Sequence, residues 1–173
     1  AAANLDWLRA GDSLTLDFNV TVSDGQGGTA ASVVSFTITG TNDAPVIDAI
    51  TTVADIAEIG DASAQDIGAQ SGTITVTDLD FGDTLTASVA GNATSTYSGG
   101  ALPAGVDVSA LIAQSALTIT PASQVSPDAS AVDFTYTYDP AAANLDWLRA
   151  GDSLTLDFNV TVSDGQGGNA ASV

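Results

Sequence analysis

Three aspartates with the spacing D-x-D-x-x-D are the side chains in this sequence best suited to chemistry. Asp78, Asp80 and Asp83 follow a segment rich in threonine and valine, and Gly82 allows the chain to bend sharply between them. In such a turn the three carboxylates can converge on one cation. Calcium prefers about six to eight oxygen ligands, so three carboxylates are too few alone. The spacing also lacks the glutamate that closes an EF-hand loop, which excludes that motif.

A second polar motif, Gly-Thr-Asn-Asp-Ala-Pro-Val-Ile at residues 40–47, separates two alternating segments. Pro45 has a fixed φ and no backbone donor, and it pushes the preceding residue toward extended geometry. The motif therefore predicts a short, stiff joint between two β domains, although an ordinary strand-to-strand loop has a similar composition. We predict that Asn42 and Asp43 of the joint, with Glu58 from the loop after the next strand, complete the ligand shell of the aspartate turn.

Two further aspartates, Asp24 and Asp164, are weaker candidate metal ligands. Each lies in a copy of the turn Ser-Asp-Gly-Gln-Gly-Gly. A carboxylate in this position commonly accepts hydrogen bonds from the amides of its own turn, and that structural role is favoured here over metal binding. For the aspartate turn at 78–83, the corresponding alternative is an acidic loop in solvent.

The charge balance supports a metal and excludes several other partners. The 173 residues include 21 acidic side chains and two basic ones, Arg9 and Arg149, for a net charge of −19. Nucleic acids and anionic membranes attract clustered Lys and Arg, so neither is an expected partner. No apolar run is long enough to insert into a bilayer. All the acidic residues except Glu58 are aspartate, whose short side chain suits turns and small oxygen cages around a hard cation.

The residue types that are missing exclude common catalytic centres. The sequence has no histidine, no cysteine and no lysine. A Ser-His-Asp triad, a histidine or thiolate zinc site and a Schiff-base lysine are therefore impossible. Paired carboxylates can hydrolyse glycosides, but nothing in the sequence predicts an aromatic-lined cleft around such a pair. We predict that the protein is not an enzyme.

The chain repeats itself after 140 residues. Residues 1–33 return as residues 141–173 with one difference, Thr29 against Asn169. Such near-identity predicts a recent duplication in a tandem array. We expect the chain, which begins with Ala1, to be a piece of a longer protein. On this reading, residues 1–44 are the C-terminal hairpin and linker of one repeat, and residues 45–173 are the next repeat without its last strand.

The elements that must position these side chains are strands. Leu14–Val22 alternates apolar and polar residues, and a glycine-rich turn separates it from a return strand at 30–39. Further strands are predicted at 45–53, 71–77, 84–90, 116–120, 132–138 and 154–163, with a short helix at 142–149. Many short antiparallel strands rich in threonine and valine predict an all-β fold, a Greek-key β-sandwich of cadherin- or immunoglobulin-like type.

The predicted N-terminal hairpin has no obvious partner in its own chain. To fold back onto the next domain, the linker would have to cross the length of a strand, about 33 Å for ten residues. Residues 41–45 reach about 18 Å at most. An isolated hairpin is marginal in water, and the edge at 154–163 is predicted to be open. The hairpin of one chain is therefore predicted to complete the next chain, head to tail, giving a filament.

The repeat resembles the VCBS family. The resemblance covers most of the period and is most specific at the joint and the turns; the region 90–130 is longer and more divergent. The matching stretches are LTLDFNVTVSDGQGG at 154–168, FTITGTNDAPVI at 36–47, SGTITVTDLDFGDT at 71–84 with Glu58 before it, FTY at 134–136 and LRAGD at 148–152. The joint is also similar to the cadherin linker, in which Asn and Asp before Ala-Pro bind calcium between domains; Asp78 and Asp80 resemble the Asp-x-Asp of the following cadherin domain.

These resemblances imply a giant, secreted, repetitive adhesin of the bacterial cell surface, similar to RTX adhesins. The repeat would be a spacer in a stalk that calcium stiffens, with roles in cell adhesion or biofilm, and its partners would be neighbouring identical repeats. Two alternatives stay open at this point. One is a self-assembling extracellular filament joined by strand exchange, and the other is a carbohydrate-binding surface module using Tyr97 and Trp147.

Overall fold

The computed structural model describes residues 4–60, 67–127 and 130–173. The described residues are almost entirely β, with one helical turn, α1 at Ser109–Ile112, followed by a 3-10 turn at Gln114–Ala116. No helix in these three ranges reaches the length and apolarity needed to cross a bilayer. The strands are β1 Ser13–Ser23, β2 Thr29–Thr39, β3 Val46–Ile50, β4 Gln70–Thr77, β5 Thr84–Val89, β6 Thr94–Tyr97, β7 Leu117–Thr120, β8 Ser123–Val125, β9 Val132–Tyr138, β10 Leu154–Asp157, β11 Val160–Ser163 and β12 Asn169–Ser172.

Strands β1 and β2, the N-terminal hairpin, form a two-stranded antiparallel sheet of their own. Every residue from Ser13 to Ser23 is paired, from Ser13 opposite Thr39 to Ser23 opposite Thr29. In the part of the chain that the structure describes, no third strand joins this sheet. The hairpin therefore stands apart from the other strands and does not fold back onto them.

Strands β3 to β12, the main body, form antiparallel sheets around one core. One sheet has the order β3-β4-β9-β7, a second has the order β12-β11-β5-β8, and β10 pairs with β6. Buried side chains of both four-stranded sheets join in one cluster, with Ile74 and Phe134 from the first and Leu85 and Val162 from the second. This arrangement is consistent with an all-β sandwich.

Most predicted strands are confirmed, but the second copy of the repeated strand is broken. Residues 154–163 form two strands, β10 and β11, interrupted at Phe158 and Asn159. β10 pairs with β6, whereas β11 lies between β5 and β12. The prediction of an open edge along all of 154–163 is therefore wrong for β11, which has a strand on each side. Of these two strands, β10 alone has a single neighbour among the described residues.

The predicted helix at 142–149 is wrong. This segment forms turns, because the side-chain oxygen of Asn144 accepts the amide of Asp146 at 3.0 Å and closes a local turn. Leu148 donates to the carbonyl of Leu145 at 2.8 Å, a single turn that is not continued. Trp147 is half-buried and meets Tyr97 edge to face, with ring centroids 5.2 Å apart. Two short strands, β6 and β8, lie in segments for which no strand was predicted.

The two copies of one sequence offer a matched stability test. Val162 is 0% exposed and its copy, Val22, is 66% exposed. In dilute solution we expect Val162→Ala to lower the free energy of unfolding by about 2 kcal/mol, because it leaves a cavity in the core. Val22→Ala should change it by less than about 0.5 kcal/mol. Chemical denaturation followed by tryptophan fluorescence measures both, and equal losses would contradict the placement of the two copies.

Candidate metal centre

Four carboxylates are buried at the end of the main body that adjoins the joint. Asp78, Asp80 and Asp83 lie in the turn between β4 and β5, and Asp164 begins the turn between β11 and β12. Each is at most 2% exposed. We call these four side chains, with Asn42, the junction cluster. The turn at 78–83 and the turn that Asp164 begins, both singled out from the sequence, are thus brought together, because β5 and β11 pair in one sheet.

The aspartate turn is built by local hydrogen bonds. Asp80 donates its amide to the side chain of Asp78 at 2.9 Å, and Gly82 has a φ of 84°, a conformation that favours glycine. Ser126, which is fully buried and lies outside the turn, stabilises it with two hydrogen bonds. Its hydroxyl donates to the carbonyl of Asp78 at 3.1 Å, and its backbone amide donates to the carbonyl of Asp83 at 2.8 Å. Sequence analysis missed Ser126, since a serine in a loop carries no signal of this role.

The joint contacts the cluster through both of its predicted ligands. The side-chain amide of Asn42 donates to Asp164 Oδ2 at 2.9 Å. The backbone amide of Asp43 donates to Asp80 Oδ2 at 2.7 Å. The joint therefore bridges the two turns of the main body, and its orientation depends on the carboxylates beneath it.

Asp164 and Asp24 show the same turn in two environments. In each copy one carboxylate oxygen accepts amides of its own turn, from Gln26 and Gly28 in the first, and from the equivalent residues and Gly167 in the second. Asp24 is exposed at the tip of the N-terminal hairpin, whereas Asp164 is packed beside the joint. The structural role favoured for both is confirmed, and Asp164 alone also reaches the junction cluster.

One basic residue approaches the cluster, from the segment before β1. Arg9 donates to the carbonyl of Gly82 at 3.2 Å, and the same nitrogen lies 3.6 Å from Asp83 Oδ1. Its Nε pairs with Asp12 at 3.0 Å. The amide of Phe81 donates to the carbonyl of Trp7 at 3.3 Å. Sequence analysis did not place Arg9 here, although its being one of two cations in an acidic chain was a usable signal.

Five buried oxygens of the junction cluster have no hydrogen-bond partner among the described residues. They are Asn42 Oδ1, Asp78 Oδ2, Asp80 Oδ1 and both carboxylate oxygens of Asp83. A buried polar atom without a partner costs roughly 1–3 kcal/mol, and more when it is charged. Five such atoms, all oxygen acceptors and all in one cluster, leave the cluster short of hydrogen-bond donors and of positive charge.

The electrostatics of the cluster agree with this deficit of positive charge. Burial raises the pKa of Asp78 to about 6, and the charges of Asp80 and Asp83 add to the rise. Burial also raises the pKa of Asp80 and of Asp83, and Arg9 opposes the rise in both. Burial alone would raise the pKa of Asp164 as well, but hydrogen bonds from Asn42 and the turn amides hold it below its usual value.

Two observations limit how a metal could bind: the position of Glu58, and the lack of a preformed metal geometry among the described residues. Glu58 lies half-buried in the loop beyond the far end of β3, outside the junction cluster as defined, so its role as a ligand stays a prediction. Among the described residues, no set of three or more acidic, histidine or cysteine side chains is already arranged to hold a metal. A cation would therefore need the amide oxygen of Asn42, backbone oxygens or water, and small side-chain rotations.

Comparison with known proteins gives no further guidance: no family model matches the chain, and no curated protein or solved structure is significantly similar to it.

The raised pKa of Asp78 predicts an unusual pH dependence when divalent metal is removed. Its pKa is about 6 in the folded chain against 3.8 ordinarily, so the folded state binds the proton more tightly. Folding stability should therefore rise as pH falls from 7.5 to 5. Melting temperatures in chelator across this range provide the measurement, and a stability that falls over the same range would contradict the buried carboxylates.

Proposed function

We propose that this protein is a structural β repeat whose junction with the preceding hairpin is stiffened by a calcium ion. The observation that carries the proposal is the group of five buried, unpartnered oxygens in the junction cluster. They come from the joint and from the turn between β4 and β5, two segments that a bound cation would hold together. A ligand at this point would therefore fix the direction in which the hairpin leaves the main body.

The residues present fit a hard cation. All the candidate ligands are oxygens, from carboxylates and one amide, and the sequence has no histidine or cysteine to favour a softer metal. Calcium accepts irregular sets of oxygens, whereas magnesium requires near-ideal octahedral geometry. Asp78, Asp80 and Asp83 would supply the carboxylates, Asn42 Oδ1 would supply the amide oxygen, and Asp164 would orient Asn42 through its hydrogen bond.

The cation supplies positive charge that the chain itself largely lacks. Arg9 provides one cation near Asp83, at 3.6 Å, against four carboxylates that lie within electrostatic reach of one another. Without further positive charge these groups repel one another, which favours separation of the two turns that the joint bridges. With it, the same groups bind the joint, and the hairpin and main body become one stiff unit.

The wider setting is part of the same proposal. The 140-residue offset of the two copies supports a tandem array of Greek-key, cadherin-like sandwiches, in which such a cation would lie at the boundary between consecutive β units. The resemblance to the VCBS repeat and to RTX adhesins supports an extracellular stalk on a bacterial surface. Calcium at about 0.1–1 mM, the range in which extracellular modules bind, would then control its stiffness.

The carbohydrate-binding alternative gains little from the aromatic pair that suggested it. Tyr97 and Trp147 meet at an interplanar angle of 75°. The hydroxyl of Tyr97 donates to Asp152 at 2.5 Å. This is the packing of a core edge and not of two coplanar faces on which a sugar could stack.

Calcium titration with a matched pair of variants tests the proposal. At 10 mM calcium and a dissociation constant of about 0.1–1 mM, mass action adds about 1.4–2.7 kcal/mol to the free energy of unfolding. Asp78→Asn should raise the melting temperature in chelator, because it removes a buried charge, yet abolish most of the calcium-dependent increase. Asp48→Asn, an exposed change of the same charge, should leave the increase intact.

Scanning calorimetry with and without calcium gives both numbers for each variant. A wild-type chain whose melting temperature is the same in 10 mM calcium and in chelator would overturn the proposal. So would an Asp78→Asn variant that keeps the full calcium response.

A further inference from the structure

The N-terminal hairpin exposes an apolar face, although the second copy of the same sequence buries the equivalent residues in the main body. On one side of the hairpin, Leu16 lies opposite Phe36 and Phe18 lies opposite Val34. The two phenylalanine rings meet edge to face at 6.0 Å, and both are more than half exposed. Val20 and Val22 extend this face toward the tip. Contiguous exposed apolar surface of this kind marks an interaction site.

The second copy of the same sequence shows what covers such a face. Val160 and Val162, the copies of Val20 and Val22, are buried in the core of the main body, on a strand that pairs with β5. Leu154, Leu156 and Phe158, the copies of Leu14, Leu16 and Phe18, pack against the same core. The complementary surface for the hairpin is therefore the site that residues 154–172 occupy.

The hairpin would fill that site more completely than the second copy does. In the hairpin, Leu14–Asp17 pairs with residues 35–38 of β2. In the second copy, β10 pairs with β6 alone among the described strands, and β12 spans only Asn169–Ser172. An incoming hairpin would bring residues 34–39 with it and so give the β10 position a second neighbouring strand.

We propose that a second copy of this chain is the partner of the hairpin, by strand exchange. The hairpin of one molecule takes the place of residues 153–173 in the next, and those residues are released. The incoming residues 13–33 repeat the contacts of the ones they replace, and Val34, Phe36 and Ile38 gain burial in addition. This goes beyond the proposed calcium site and does not depend on it.

The exchange is directional, because the donated hairpin and the accepting site are different surfaces. Each molecule offers a hairpin at one end of its main body and an accepting site along that body, so the contact is heterologous. A second molecule that accepts the hairpin is itself free to donate its own. Chains of molecules should grow in this way, and salt should favour them, since each chain carries a net charge of −19.

Cysteine trapping tests the exchange directly, because the natural chain has no cysteine. Ser88 and Thr161 face each other with their hydroxyls 2.9 Å apart. In the exchanged state Thr21 takes the position of Thr161. Ser88→Cys mixed with Thr21→Cys should therefore give a disulfide-linked heterodimer under mild oxidation. Thr15→Cys is the matched control, since its copy, Thr155, lies opposite Thr96 and away from Ser88.

Light scattering after size-exclusion chromatography provides a second readout. Val22→Asp places a charge where the exchanged state is fully buried, so it should reduce the oligomeric fraction at least tenfold. Asn19→Asp adds the same charge at a position whose copy, Asn159, is exposed, and should leave the oligomers intact. A wild-type chain that stays monomeric at high concentration and salt, with no more Ser88–Thr21 cross-link than the Thr15 control, would overturn the proposal.

Discussion

The desolvation of four carboxylates at one end of the main body is the constraint on which the junction depends. Asp78, Asp80, Asp83 and Asp164 are held away from water by two turns, a buried serine and the joint. Their own hydrogen bonds satisfy some of their oxygens, and Arg9 offsets part of the charge. The remaining oxygens make the arrangement costly for the chain alone, and this cost is the physical basis of the proposed cation site.

The junction links the N-terminal hairpin to the main body by more than the covalent chain. The joint is short, and its two polar residues hydrogen-bond to different turns of the main body. The segment before β1 reaches the same place through Trp7 and Arg9. Four stretches that are far apart in sequence therefore meet at one charged site, so that a ligand bound there would affect all of them together.

The sequence predicted the β architecture and much of the junction, because both are written in local patterns. Alternation located β1, β2, β4 and β9, and the Asn-Asp-Ala-Pro and Asp-x-Asp motifs located Asn42 and Asp80. Ser126 was beyond reach, since it acts through a tertiary contact that no local pattern encodes. For Arg9, the scarcity of basic residues was a signal of a role, but no local pattern encodes its contact with the turn. The helix expected at 142–149 failed because the Asn144 side chain competes for the backbone amides that a helix needs.

The repeated strand shows most clearly where prediction from sequence stops. One sequence forms a continuous strand of eleven residues in β1, and two short strands around Phe158 in the second copy. The difference comes from the neighbours, since β1 has a single long partner and the second copy is shared between β6, β5 and β12. Alternation predicts that a segment is extended and which side is apolar, but not how many sheets divide it.

The matching turns at Asp24 and Asp164 carry a consequence for how the proposed array of such units would change over time. Both turns hold their carboxylate with the same amides, although one is exposed and the other is packed against a joint. The turn therefore has the same conformation before and after a joint packs against it. No unit of the proposed array needs a fit that is specific to one neighbour. Units could be gained, lost or reordered without spoiling the links that remain, so total length would be free to vary while each link stays the same.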